Sequence, residues 1–341
     1  MTIIADPIDN VVESLKTLVE TALLAPSGDN MQPWWFEIDN QNSSITIRID
    51  ETADPSPMNQ GQRMSRIACG AALENIVQTA AHNGWQIETQ EILDRDFIAR
   101  VIVTSKSDSK CLIPETIRNR CTNRKLYNSQ PLTKAQGKSV IGSVPSENGI
   151  EIVWCTEHRQ LSKWSKAIGQ ADAQMMSKPK FLRAFLSNIR FDLQPNEVAN
   201  EGLSIGSLEI SHIDRQLMSV LRYVPEWILK LLPLRGSFRK HSEKLVRNSS
   251  GICYLIPQHS GPDADLATGR TMQRLWLALT AAGFQVQPMM SIPVLANVGK
   301  LDLISLPDWP PNSLPPIALL RFGIADAPTV RCGRDLRRFL S

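Results

Sequence analysis

The sequence predicts an α+β protein of two related halves, each a mainly antiparallel sheet flanked by helices. Alternating and β-rich runs are grouped around helical patterns, and the grouping recurs later in the chain. Two glycine-bounded helical segments, 70–84 and 269–283, stand 199 residues apart in one register. Leu73 matches Met272, Ile76 matches Leu275, and an aromatic follows each closing glycine, Trp85 and Phe284. An internal duplication explains this match, and a chance likeness of two apolar helices is the alternative. The halves are placed at 1–110 and 111–341, the second carrying a helical insertion at about 161–246.

The elements follow in order. Asp6-Pro7 reads as an N-cap with proline at the first helical position. Val11, Leu15, Leu18 and Ala22 then recur at helical spacing, and the helix ends near Leu24 because Pro26 disfavours helical geometry at Ala25. "WWFEI" and "SITIRI" read as a hairpin across the turn-rich "DNQNSS", and "FIARVIVTS" as a strand after the first glycine-bounded helix. In the second half "GIEIVWC", "GICYLI" and "PIALLRFG" read as strands. Within the insertion Leu217, Leu221, Val224, Ile228 and Leu231 repeat at four and three. That stripe suits a core-facing helix pair or a lid over a pocket. A membrane-surface helix fits less well, because the polar face is not strongly cationic.

The bulk properties narrow the function classes. At 341 residues and 38.0 kDa, with 42% hydrophobic and 21% charged residues, the chain has the composition of a soluble globular protein with a sizeable core. Net charge +3 and a pI near 8.5 are mild and suit an anionic small ligand as well as anything larger. Six cysteines without a CxxC pair point to a reducing compartment. The start of the chain lacks the basic and apolar regions of a signal peptide, and "WILKLLPL" is too short and too interrupted to span a membrane. A cytoplasmic protein without stable membrane insertion is expected. The five histidines show no metal spacing. The basic runs lack aromatic interleaving or a nucleic-acid module, so no nucleic-acid partner is expected.

Two stretches carry chemistry. In "APSGDNMQPWWF", Pro26 and Gly28 fix a tight loop offering Ser27, Asp29, Asn30 and Gln32, and Pro33 is expected to hold Gln32 extended. Locally this is equally a plain helix-to-strand connector. In "RNRCTNRKLY", Arg118, Arg120, Arg124 and Lys125 surround Thr122, a set of donors that suits a phosphate. A solvated basic turn is the alternative. A third cluster, Arg331, Arg334, Arg337 and Arg338, lies in the tail.

Together these stretches resemble the FMN-dependent nitroreductase superfamily. "APSGDNMQPW" is similar to its APSxxNxQPW segment, "RCTNR" to its R-x-S-x-R phosphate motif with Thr122 in place of serine, and "TGRTMQRLWLALTAAGFQVQPM" to the helix that ends beside the flavin. The arginine motif follows the APS motif by about ninety residues, the reverse of ordinary members. That order, with "CGAALENI" and the terminal "RFG…R", resembles the Acg-like branch, in which one chain mimics a homodimer.

The resemblance implies a nitroreductase-like pseudo-dimer with one FMN per chain. Arg120, Thr122 and Arg124 would hold the phosphate, and Arg331 or Arg334 would complete its neutralisation. Pro26, Ser27 and Asn30 would meet the ribityl chain and ring edge, and Gln32 would brace the loop. Pro288, Met289 and Met290 would place backbone near the reactive ring edge. No catalytic acid or base is implied. The implied reaction passes hydride from NAD(P)H through FMN to an electron-poor small molecule, a nitroaromatic or a quinone. The Acg likeness also implies the alternative of an FMN-sequestering protein with a lidded site. A fused pair has less need of a partner, so a monomer is expected in preference to a homodimer.

Overall fold

The computed structural model describes residues 7–106, 111–144, 149–309 and 313–334. The first half runs α1 (Pro7–Leu23), β1 (Trp34–Asp39), β2 (Ser44–Ile49), α2 (Arg63–His82), β3 (Gln86–Asp94) and β4 (Phe97–Ser105). The chain continues with α3 (Glu115–Asn119), α4 (Lys134–Ser143) and β5 (Ile150–Cys155). An insertion follows: α5 (His158–Met176), α6 (Pro179–Ser187), the short β6 (Ile189–Arg190) and β7 (Leu203–Ser204), α7 (His212–Leu221), α8 (Glu226–Leu229) and α9 (Leu234–Arg247). Then come β8 (Gly251–Pro257), α10 (Pro262–Ala281), β9 (Gln285–Pro288), α11 (Ser291–Asn297) and β10 (Ala318–Gly323).

The fold is α+β, with two related halves. One sheet has the order β1-β2-β4-β3 and the other β5-β8-β10-β9, and the neighbouring strands within each pair antiparallel. The two orders correspond strand for strand. α2 and α10 each have 20 residues and are offset by 199 at both ends, so the register seen in the sequence extends seven residues before Gly70 and Gly269. The expected Asp6 cap, the Val11 side chain, Arg337 and Arg338 lie outside the described residues.

Packing explains why α2 and α10 carry glycine at matched positions. A Cβ on Gly70 would stand 2.2 Å from Leu266 O, and one on Gly269 would stand 2.0 Å from Ile67 O. Only the hydrogen side chain lets the two backbones approach this closely. The exchange is reciprocal in the cores as well: Leu266 of α10 packs into the first-half core, and Ile67 of α2 into the second-half core. Around this seam Glu74, 1% exposed, accepts from Arg270 at 3.2 Å and Arg274 at 2.8 Å, while Asp265 accepts from Arg66 at 2.6 Å.

The stripe expected in the insertion is not one core-facing face. Pro225 breaks the helix after α7, and of Leu217, Leu221, Val224, Ile228 and Leu231 only Leu221 is fully buried. Leu217 and Leu231 are exposed.

Candidate functional site

The site begins where α1 stops. A helix end leaves carbonyls without intrahelical partners, and two arginines from far along the chain take those of α1. Arg334 donates Nε to Leu23 O at 2.5 Å and Nη2 to Ala25 O at 3.0 Å. Arg120 donates Nη2 to Leu24 O at 3.1 Å. The negative end of the helix dipole favours both cations.

The next residues form a strained loop. Asp29, Asn30 and Gln32 have φ of 45°, 61° and 53°, a left-handed conformation unusual outside glycine. Gln32 is therefore not extended, contrary to what Pro33 alone suggests. The Gln32 N–H donates to Ser27 Oγ at 3.0 Å, and the Trp34 N–H donates to Gln32 O at 2.9 Å, closing a tight turn on Pro33 that overrides the local preference. The Gln32 side chain braces the loop, donating to Asn200 O at 2.5 Å and Asn30 O at 3.4 Å. Trp34 is fully buried in the first core and anchors the strand that follows, whereas Trp35 is half-buried.

The arginine loop is registered on the second sheet. Thr122 forms an isolated bridge with Val286 of β9, and the Asn123 N–H donates to Val286 O at 3.0 Å. Asn123, which the sequence did not single out, is fully buried and pins the loop by donating to Gln285 Oε1 at 3.1 Å and Asp326 O at 2.8 Å. Tyr127 completes the pin: its hydroxyl donates to Asn123 O at 2.6 Å, and Arg321 lies 3.8 Å over its ring.

These parts enclose a cavity of about 180 Å³. Pro26, Ser27 and Asn30 line one side, Arg120, Thr122 and Arg124 the other, and Arg331 and Arg334 the tail side. The insertion contributes Leu203 and Ser207, which the sequence did not indicate. Burial, with Arg334 and Arg331 close by, pushes the Arg120 guanidinium down to about 10. Arg120 is 9% exposed and stacks 4.6 Å over Trp276, and its Nε and Nη1 have no hydrogen-bond partner among the described residues. A buried charged donor left unpaired is costly. An anion in this cavity would relieve it.

The other arginines are engaged differently. Arg334 spends its guanidinium on the α1 carbonyls, on Gly333 O at 2.7 Å and on Asn30 Oδ1, so it caps and straps the loop. Arg124 donates to Ser207 O at 3.2 Å, and the exposed Arg331 to Arg118 O at 3.0 Å. Asn30 turns its amide to the insertion, donating to Gly202 O at 3.1 Å and Ala199 O at 3.4 Å. Asn188 donates to Asp29 Oδ2 at 3.1 Å, and the Gly333 N–H to Ala199 O at 2.9 Å. Residues 188–207 thus lie as a cover over the loop. Burial raises the Asp29 carboxyl, and it raises that of Asp54, beside the loop, to about 6.

Pro288, Met289 and Met290 do not line this cavity. Pro288 pairs with Leu320, and the Met289 N–H donates to Leu319 O at 2.8 Å.

No protein-family model matches the chain. Two curated relatives do. An uncharacterized protein, MT1398, of Mycobacterium tuberculosis is 23% identical over 292 residues, 84% of this chain and 40% of its own length. This chain thus spans less than half of that relative. A probable NAD(P)H nitroreductase, PigM, of Serratia is 22% identical over 298 residues, 82% of this chain and 81% of the relative. Among solved structures, the FMN-dependent nitroreductase NfnB of Mycobacterium smegmatis, in complex with NADPH, superposes at a TM-score of 0.35 with 16% identity over 62% of this chain and 86% of its own. A nitroreductase with bound FMN from Bacteroides fragilis superposes at 0.35 with 10% identity, over 62% and 87%. The chain is thus similar, at a distance, to a probable NAD(P)H nitroreductase over most of both lengths.

Proposed function

We propose that the chain is an FMN-dependent NAD(P)H oxidoreductase of nitroreductase type. The observation that carries this reading is Arg120, which lines a cavity with further arginines and whose Nε and Nη1 have no partner among the described residues. They fit the phosphate of FMN. Arg120, Thr122 and Arg124 would hold it, with Arg331 at the rim; Arg334 would keep the α1 end and Asn30 in place. Pro26 and Ser27 would approach the attached chain from the opposite half. When bound, FMN supplies hydride transfer between a reduced nicotinamide and an electron-poor acceptor such as a nitroaromatic or a quinone. The residues of this chain bind, orient and exclude water. The reading requires no dedicated acid or base from the chain.

The same proposal reads the chain as two nitroreductase-like units fused near residue 110, a pseudo-dimer of the Acg-like kind with one FMN per chain. The matching strand orders and the 199-residue offset support it.

One observation favours a second reading, an FMN-sequestering protein. The cavity holds about 180 Å³, below the roughly 300 Å³ at which small-molecule sites begin. It accommodates the phosphate end while residues 188–207 remain bonded to the loop. In the first reading this cover lifts during turnover; in the second it stays.

Visible absorbance after incubation with FMN and removal of excess, followed by anaerobic NADPH, separates the readings. Flavin bands that bleach indicate a reductase. Bands that persist indicate a covered holder. A colourless protein overturns both.

A further inference from the structure

We propose that the outer face of α7 and α8, with the start of α9, seats the protein on an anionic phospholipid surface. Eleven large hydrophobic side chains are exposed among the described residues, and six of them fall within 213–231. They are Ile213, Leu217, Val220, Tyr223, Trp227 and Leu231, between 48% and 76% exposed. Ile213, Leu217 and Val220 share one side of α7, and Tyr223, Trp227 and Leu231 continue the exposed series through the turns and α8 that follow. The other side is already occupied: Leu221 and Leu229 are buried in the insertion's own core, with Met218, Val224 and Leu232 packed against it. The stripe therefore has no partner within the described chain, and solvent exposure of six such side chains marks an interaction surface.

Charge selects the partner. Residues 211–247 hold eight Lys and Arg against three Asp and Glu, a net +5 in a chain whose total is +3. Exposed cations run along the same segment. Arg222 lies 4.5 Å over the Tyr223 ring, Lys230 adjoins Leu231, and Arg235 and Lys240 are exposed on α9. The Lys230–Glu226 pair, at 3.5 Å and largely exposed, removes little of this charge. A second copy of the same face would bring like charges together, and a nucleic acid would leave the aliphatic stripe in water. An anionic lipid surface satisfies both features: aliphatic and aromatic groups enter the headgroup boundary, Tyr and Trp settle at its polar edge, and Lys and Arg meet the phosphates. Among the described residues no helix is long and apolar enough to cross a membrane, so the contact lies on the surface. The proposal is independent of the flavin reading, because none of these side chains lines the cavity.

Flotation of the full chain with phosphatidylcholine vesicles, with and without about 30% phosphatidylglycerol, tests it. The protein is expected to float with the anionic vesicles and stay behind with the neutral ones, and to be released as salt rises toward about 0.5 M. The double variant Trp227→Ser with Leu231→Ser is expected to lose roughly tenfold or more of the bound fraction. Leu112→Ser, at an exposed apolar position outside the stripe, is expected to bind like the parent. Thermal midpoints equal to the parent's verify that both variants fold. Flotation with neither vesicle, or flotation unaffected by the double variant, overturns the proposal. So does a dimer in light scattering that the double variant dissociates without any flotation, since that outcome assigns the stripe to a second copy.

Discussion

At Arg120, whose side chain lines the cavity, one backbone bond to Leu24 O leaves Nε and Nη1 without an acceptor among the described residues. If a phosphate takes them, Arg120→Ala removes a charge-assisted bond of about 1.5–3 kcal/mol, and FMN affinity falls about 10- to 100-fold by fluorescence titration. Unchanged affinity would remove Arg120 from the site. Asp54 gives a pH signature. Burial, with Asp29 nearby, raises its carboxyl to about 6, well above its unfolded value. The stability its protonation contributes is full below about pH 4 and is lost as pH rises through 6. Asp54→Asn, neutral throughout, is expected to raise stability by about 2–3 kcal/mol at pH 8 and to show little gain at pH 4. Thermal midpoints at both pH values check this, and a gain independent of pH would assign the effect to packing. The donor-rich loop around Thr122 was legible in the sequence because residue type alone reports donors. The division of labour was not. Arg334 caps a helix end 311 residues away, and only the fold shows that its guanidinium is spent while that of Arg120 is not.

Between elements, the seam of α2 and α10 is where substitution is costliest. Gly70→Ala places a Cβ 2.2 Å from Leu266 O, backbone that cannot rotate away, so the two helices must separate. A loss of about 2–4 kcal/mol in urea unfolding is expected. Gly137→Ala in α4 meets nothing within 4 Å and is expected to stabilise by about 0.5–1 kcal/mol. Equal effects would mean the seam relaxes freely. Elements with a clear apolar period were legible, including α1, the β1–β2 hairpin, β4 and the cores of α2 and α10. β3 was not, because its side chains are mostly exposed and "QIETQEILD" shows no apolar alternation. β9 is only four residues long, and its side chains are mostly half-buried. The insertion stripe misled, since periodicity reports that apolar residues share a face and not whether that face is covered.

For the whole molecule, the two halves contribute unlike parts to one cavity. The first gives the α1 end and the Pro26–Ser27 loop; the second gives the arginine loop and the tail. If the chain is the fused pair proposed above, it has a second, reciprocal position, where the loop would come from the second half and the arginines from the first. The sequence has no second APSxxNxQPW after Tyr127 and no R-x-T-x-R before Pro26. The strand orders thus match between the halves, while the two motifs occur once each. This asymmetry predicts saturation at one FMN per chain, by absorbance of the dialysed complex against protein concentration, in a particle that light scattering reads as a single chain. Two FMN per chain would show that the reciprocal position still binds without its motifs. One FMN per two chains would show that a partner completes the site and would overturn the proposed single-chain site.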